Sequence, residues 1–273
     1  MNYGEVLERL VGWAAETDAV RAVIVVGSGA NGDPHPLSDR DIELYASDPD
    51  DLADDESWWS GLGEVLVVER LEDEDSGYPT LLIYYAGGKL DFTLIPAEDL
   101  STMEHDRPFQ VLLDKDAHAP DPDSVSTPQG ELPDEEEFEE CVNWGYAAAL
   151  MCAKAVVRDE LWSAKLRDQD LKEELLRIIE WDHLIRYGTA HDRRYLDAGI
   201  NSWVDSDIRD ELNECWGHLQ ADDTVRALRH TVDLFARLAT RAGTSLGQQP
   251  FDHDRLRREL DAILALRDIP VRS

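Results

Sequence analysis

Residues 22–45 read AVIVVGSGANGDPHPLSDRDIELY. The opening AVIVV is a short apolar run of mostly β-branched residues that stops at Gly27-Ser28, the pattern of a buried strand meeting a tight turn. The glycines and prolines of GANGDPHPLS interrupt helix and strand alike and predict a loop. DRDIELY then alternates strictly, with Asp39, Asp41, Glu43 and Tyr45 on one side and Arg40, Ile42 and Leu44 on the other, which is the period of a strand. The same stretch contains Gly27-x-Gly29-x-x-Gly32 after a strand, the spacing of a dinucleotide-binding turn. Such a turn must open a helix, and Asp33-Pro34-His35-Pro36 forbids one, so that reading fails.

Working outward, residues 2–16 read as an amphipathic helix with Val6, Leu10 and Trp13 on one face. Further strands are predicted at Glu64 to Arg70, Thr80 to Ala86 and Lys89 to Ile95. The Gly87-Gly88 pair between the last two is a hairpin signal. Residues 114–137 are rich in proline and aspartate and then acidic, as a linker leading into a helix start would be. Downstream the pattern is helical, including a face of Val225, Leu228, Val232, Phe235 and Leu238 that is expected to stop at Gly243. The predicted fold is therefore α+β: an N-terminal mixed or antiparallel sheet with helices over residues 1–133, followed by a C-terminal α-helical bundle over 134–273.

Composition narrows the partners. A formal net charge of −33 on 273 residues repels nucleic-acid phosphates and anionic membrane surfaces and attracts cations. No apolar run approaches the roughly 18 residues of a membrane span, and the start MNYGEVLERL lacks the basic-then-apolar pattern of a signal peptide. Cys141, Cys152 and Cys215 form no CxxC pair and suit a reducing compartment. The expectation is a cytoplasmic monomer that binds neither nucleic acid nor membrane.

Three carboxylates carry the chemistry. Asp39 and Asp41 lie two apart on one strand face, about 7 Å between Cα atoms, and can converge on ions roughly 4 Å apart, the spacing of two-metal phosphoryl-transfer sites. Asp91, between Leu90 and Phe92 in KLDFTL, can join them from a neighbouring strand. Gly27 and Ser28 offer backbone N–H groups and a hydroxyl where a phosphate can rest. On the helical side, Leu171, Leu175, Ile178, Asp182 and Ile185 share one stripe, and a carboxylate on an apolar stripe requires a reason.

VIVVGS, the spaced Asp39-x-Asp41-Ile42, LDFTLIP at Leu90 to Pro96 and KEELLRIIEW at Lys172 to Trp181 together resemble the aminoglycoside 6-adenylyltransferases that modify streptomycin, within the polymerase-beta-like nucleotidyltransferases. The resemblance covers most of the chain. It implies a nucleotidyltransferase sheet and a helical substrate-binding half, with ATP as co-substrate, two magnesium ions on Asp39, Asp41 and Asp91, and a cationic aminoglycoside as acceptor. It further implies that Ser28 touches the triphosphate and that Lys154, in CAKAVVR, neutralises it. Gly29 stands where that family often has arginine, which removes one contact to phosphate or substrate.

Adenylylating a hydroxyl calls for a base beside the acceptor oxygen. Asp182 is the candidate from the stripe and Glu174 the candidate from the resemblance, with Glu180, His183 and His191 as further options. Two other readings stay open: an enzyme of the same fold with another acceptor, such as a lincosamide, a metabolite or a protein, and a nucleotide-binding regulatory or antitoxin module. The complete aspartate set and the long helical half argue against the second.

Overall fold

The computed structural model describes every residue except 31–34, 36, 73–76, 126–129, 189–195 and 269–273, and only the backbone of 72, 196–198 and 268. The chain divides into two compact units, Met1–Pro128 and Gln129–Ser273.

In the first unit, helix α1 (Tyr3–Glu16) leads into strands β1 (Val20–Val26) and β2 (Arg40–Ala46). Short helices α2 (Pro49–Asp54) and α3 (Ser57–Ser60) precede strands β3 (Val65–Glu72), β4 (Pro79–Tyr85), β5 (Gly88–Pro96) and β6 (Phe109–Asp114). The six strands form one sheet in the order β3-β4-β5-β2-β1-β6. β2 and β5 run parallel, and the other neighbours are antiparallel. The predicted hairpin is present, with its tight turn one residue earlier than the glycine pair suggests, because Tyr85 pairs with Gly88.

Strand alternation gives the sheet two apolar faces. One, with Val23, Val25, Ile42, Leu44, Phe92 and Leu94, packs against Val6, Leu10 and Ala14 of α1 and against Trp58. Trp58 stacks on Trp13 with ring centroids 5.1 Å apart and meets the edge of Phe92 at 4.9 Å. Its indole N–H donates to the Leu52 carbonyl at 2.9 Å, so the buried ring leaves no polar atom orphaned. The other face carries Ala22, Ile24, Val26, Tyr45 and Phe109, covered by Leu100. Strand β6 was not foreseen, because FQVLLD is short and has no alternation to separate it from a buried helical turn.

In the second unit, helix α4 (Glu135–Val157) starts at a capping box, with Asp134 and Glu137 each accepting the other's backbone N–H. Helices α5 (Leu161–Tyr187), α6 (Leu196–Trp203), α7 (Ser206–Glu214), α8 (Ala221–Leu246) and α9 (His253–Ala265) complete the bundle. Leu171, Leu175 and Ile178 of α5 share its core with Val232, Phe235 and Leu238 of α8. α8 does not stop at Gly243, which is buried within it; the helix ends at Gly247, in the left-handed conformation with φ +72°. No helix among the described residues is long and apolar enough to cross a membrane.

Candidate active site

The carboxylates gather at one end of the sheet's central strands. Val26, the last residue of β1, pairs with Asp41 on β2, and Asp41 pairs in register with Asp91 on β5. The parallel β2–β5 pairing therefore sets two acids from distant parts of the chain side by side. Asp39, just before β2, is fixed through its neighbour. The buried Arg40 side chain donates from Nη1 to the carbonyls of Ser38 at 2.7 Å and Asp39 at 3.1 Å, and its guanidinium lies 4.1 Å from the Tyr3 ring centroid. A Cβ at Gly29 would come within 2.8 Å of Arg40 Cδ. The glycine that stands where an arginine was expected thus makes room for another arginine.

Two cations meet the acids. Lys89 Nζ lies 2.8 Å from Asp91 Oδ2 and 3.3 Å from Asp39 Oδ2, and Arg107 Nη1 lies 3.3 Å from Asp41 Oδ2. Even so, burial pushes the carboxyl groups of Asp41 and Asp91 above the ordinary carboxylate range, and each is pushed further by its acidic neighbours. Asp91 Oδ1 is buried with no hydrogen-bond partner. The cluster is short of positive charge, although among the described residues no three His, Cys, Asp or Glu side chains converge as a ready-made metal cage.

The Gly27-Ser28 turn needs a correction. Gly27 sits at φ +70°, a conformation that favours glycine, and opens a short 3-10 turn over Gly27–Ala30. Its N–H donates to the Pro108 carbonyl at 2.7 Å, so it is not available to a phosphate. Ser28 is half-buried at the start of that turn.

The helical unit separates the predicted residues. Lys154 is exposed in the last turn of α4. Glu174 accepts from Arg177 at 3.0 Å and borders a cavity of about 390 Å³ with Trp144, Met151, Asp170 and Glu173. Asp182 is 1% exposed. Its two oxygens take bonds from Arg186 Nε at 2.9 Å and from Arg241 Nε and Nη2 at 2.5 and 2.7 Å. A base needs an oxygen that a substrate proton can reach, and two guanidinium groups enclose these. The carboxylate on the apolar stripe links α5 to α8, and both its oxygens are taken by arginines. His183 is buried edge-on against Trp203 with centroids 5.0 Å apart. His191 lies outside the described residues.

Sequence reading missed three residues here. Lys89 was legible, since it stands two before Asp91 on the same strand and so shares its face. Arg40 also sat in view, as a charge at an inward position of an alternating strand. Arg107, in the irregular segment before β6, has no local signature.

A mixed sheet with a Gly-Ser turn at the end of its first strand, facing three carboxylates on two parallel neighbours, is the framework of a nucleotidyltransferase. A family model for streptomycin adenylyltransferase matches residues 1–258. The chain belongs to the streptomycin adenylyltransferase family. It is 30% identical over 194 residues to an aminoglycoside 6-adenylyltransferase from Staphylococcus aureus, covering 65% of this chain and 68% of that one. A relative of the same name from Campylobacter jejuni is 28% identical over 189 residues, covering 65% and 66%. The chain thus spans about two thirds of the length of these curated relatives. The crystal structure of an aminoglycoside 6-adenyltransferase from Bacillus subtilis aligns over 95% of this chain and 97% of its own, at 18% identity and a TM-score of 0.47. The assignment rests on the family match rather than on that alignment.

Proposed function

We propose that this protein transfers AMP from ATP to a hydroxyl of an aminoglycoside, with streptomycin as the acceptor that best fits its charge. The observation that carries the reading is the in-register pairing of Asp41 with Asp91 beside Asp39, at the end of a strand that leads into the Gly-Ser turn. In the reaction the acceptor oxygen bonds to the α-phosphorus, the bond from that phosphorus to the bridging oxygen breaks, and pyrophosphate leaves.

The hard oxygen donors of Asp39, Asp41 and Asp91 suit magnesium, and the buried, unpartnered Asp91 Oδ1 is a donor atom without an internal use. These residues would hold two magnesium ions, which when bound supply charge neutralisation to the triphosphate and to the departing pyrophosphate. Ser28 contacts the triphosphate through its hydroxyl. Glu174 takes the acceptor proton. It is preferred to Asp182 because one partly exposed arginine, not two, meets its carboxylate.

The acceptor reading draws on the cavity beside Glu174. Asp170, Glu173 and Glu174 line it together with Trp144, whose side chain is exposed, and with Arg167, which pairs with Asp170; the surplus of acids over this one arginine and the exposed ring suit a sugar bearing ammonium or guanidinium groups. Each exposed pair contributes only about 0.2–1 kcal/mol, and all are screened within a Debye length of about 10 Å at 0.1 M salt. The Michaelis constant for streptomycin is therefore expected to rise several-fold from low to high salt while circular dichroism stays constant. A constant that does not move, or a preference for a neutral acceptor, would contradict the polycation reading and leave the transfer chemistry standing.

A further inference from the structure

The geometry points to Lys89 as a built-in counter-ion that occupies the carboxylate cluster before metal enters and competes with metal for it. The inference rests on the reading that Asp39, Asp41 and Asp91 hold magnesium.

β5 alternates, so Lys89 and Asp91 project from the same face with one residue between them. The single ammonium reaches both Asp91 Oδ2 at 2.8 Å and Asp39 Oδ2 at 3.3 Å, and the lysine side chain is only 16% exposed. It therefore bridges acids from β5 and from the segment before β2 that would otherwise repel each other. An ammonium has three donors and no acceptor and carries one charge. It leaves Asp91 Oδ1 buried and without a hydrogen-bond partner, while Asp41 pairs with Arg107. One positive charge is enough to hold the acids near one another and too little to satisfy them.

Metal entry then requires the ammonium to give up two carboxylate contacts. A resting place is at hand: Tyr84, which pairs with Lys89 across the β4–β5 ladder, presents its ring face with the centroid 5.1 Å from Nζ. Arg107 meets the cluster differently, reaching Asp41 from the segment before β6. Lys89 should thus lower metal affinity while stabilising the metal-free sheet, and its removal should move the two properties in opposite directions. A residue that served only to pack the strand would move stability alone.

The experiment measures binding of Mn²⁺, without nucleotide, by electron paramagnetic resonance, together with thermal melting, for the wild-type full chain and for Lys89→Met, Lys89→Gln and Asp91→Asn. The expected result is Mn²⁺ binding about tenfold tighter in both Lys89 variants, a lower melting temperature for each in the metal-free state, and a larger rise on adding Mn²⁺ than wild type shows. Either Lys89 variant suffices if the other does not fold. Mn²⁺ that binds wild type, is lost in Asp91→Asn, and binds the Lys89 variants no more tightly overturns the role of Lys89 and leaves the metal reading intact. Mn²⁺ binding that ignores Asp91→Asn, or no binding at all, overturns the metal reading and the Lys89 inference with it.

Discussion

Asp41→Asn is expected to lower turnover by roughly 100-fold or more, because a ligand that carries charge to the reacting phosphates supplies several kcal/mol of transition-state stabilisation. The sheet should survive the change. Asp41 sits at the end of β2, its side chain is 36% exposed, and it belongs to neither apolar face. Burial pushes its carboxyl above the ordinary range, so in the metal-free protein the charge opposes folding. A neutral amide of nearly the same shape removes that opposition, and the melting temperature should hold or rise as activity falls. Asp39→Asn should lose activity in the same way. Turnover like wild type in either variant would contradict the role given to these acids; a fall in activity with a collapse of the circular dichroism would show that they are structural.

The second large effect is on stability. Asp182→Ala leaves Arg186 of α5 and Arg241 of α8 without the carboxylate they both bind, in a site where that carboxylate is 1% exposed. Removing one partner of a buried ion pair costs about 3–5 kcal/mol; Arg241 is 38% exposed and Arg186 keeps its pair with Asp205, so the loss here lies at or below the lower end of that range. Urea unfolding should show a midpoint shift of that size with little change in slope. Loss of activity should follow loss of folded protein rather than exceed it. An Asp182→Ala protein as stable as wild type but inactive would restore Asp182 as the base and displace Glu174.

Most of the framework is legible in short stretches of sequence because it depends on local periodicity. AVIVV before Gly27-Ser28 and the alternation from Asp39 to Tyr45 fix two adjacent strands, and the same alternation separates the acids from Ile42 and Leu44. The stripe from Leu171 through Ile178 fixes the buried face of α5. What escapes is what the chain brings together from far apart. That β2 pairs parallel with β5, and so sets Asp41 against Asp91, cannot be read from either strand alone. The partner that explains the buried Asp182 is Arg241, 59 residues away. Backbone accounting is equally hidden: Gly27 appears to the sequence as a free phosphate-binding amide, while its N–H is taken by Pro108, beside a strand too short to announce itself.

The proposed chemistry is decided by incubating the full chain with ATP labelled on the α-phosphate, magnesium and streptomycin, and separating the products. Transfer predicts a labelled AMP ester of streptomycin and an equal amount of pyrophosphate, neither formed when the metal is chelated with EDTA. Streptomycin recovered unlabelled while ATP is consumed, or release of ADP and phosphate in place of pyrophosphate, would contradict it.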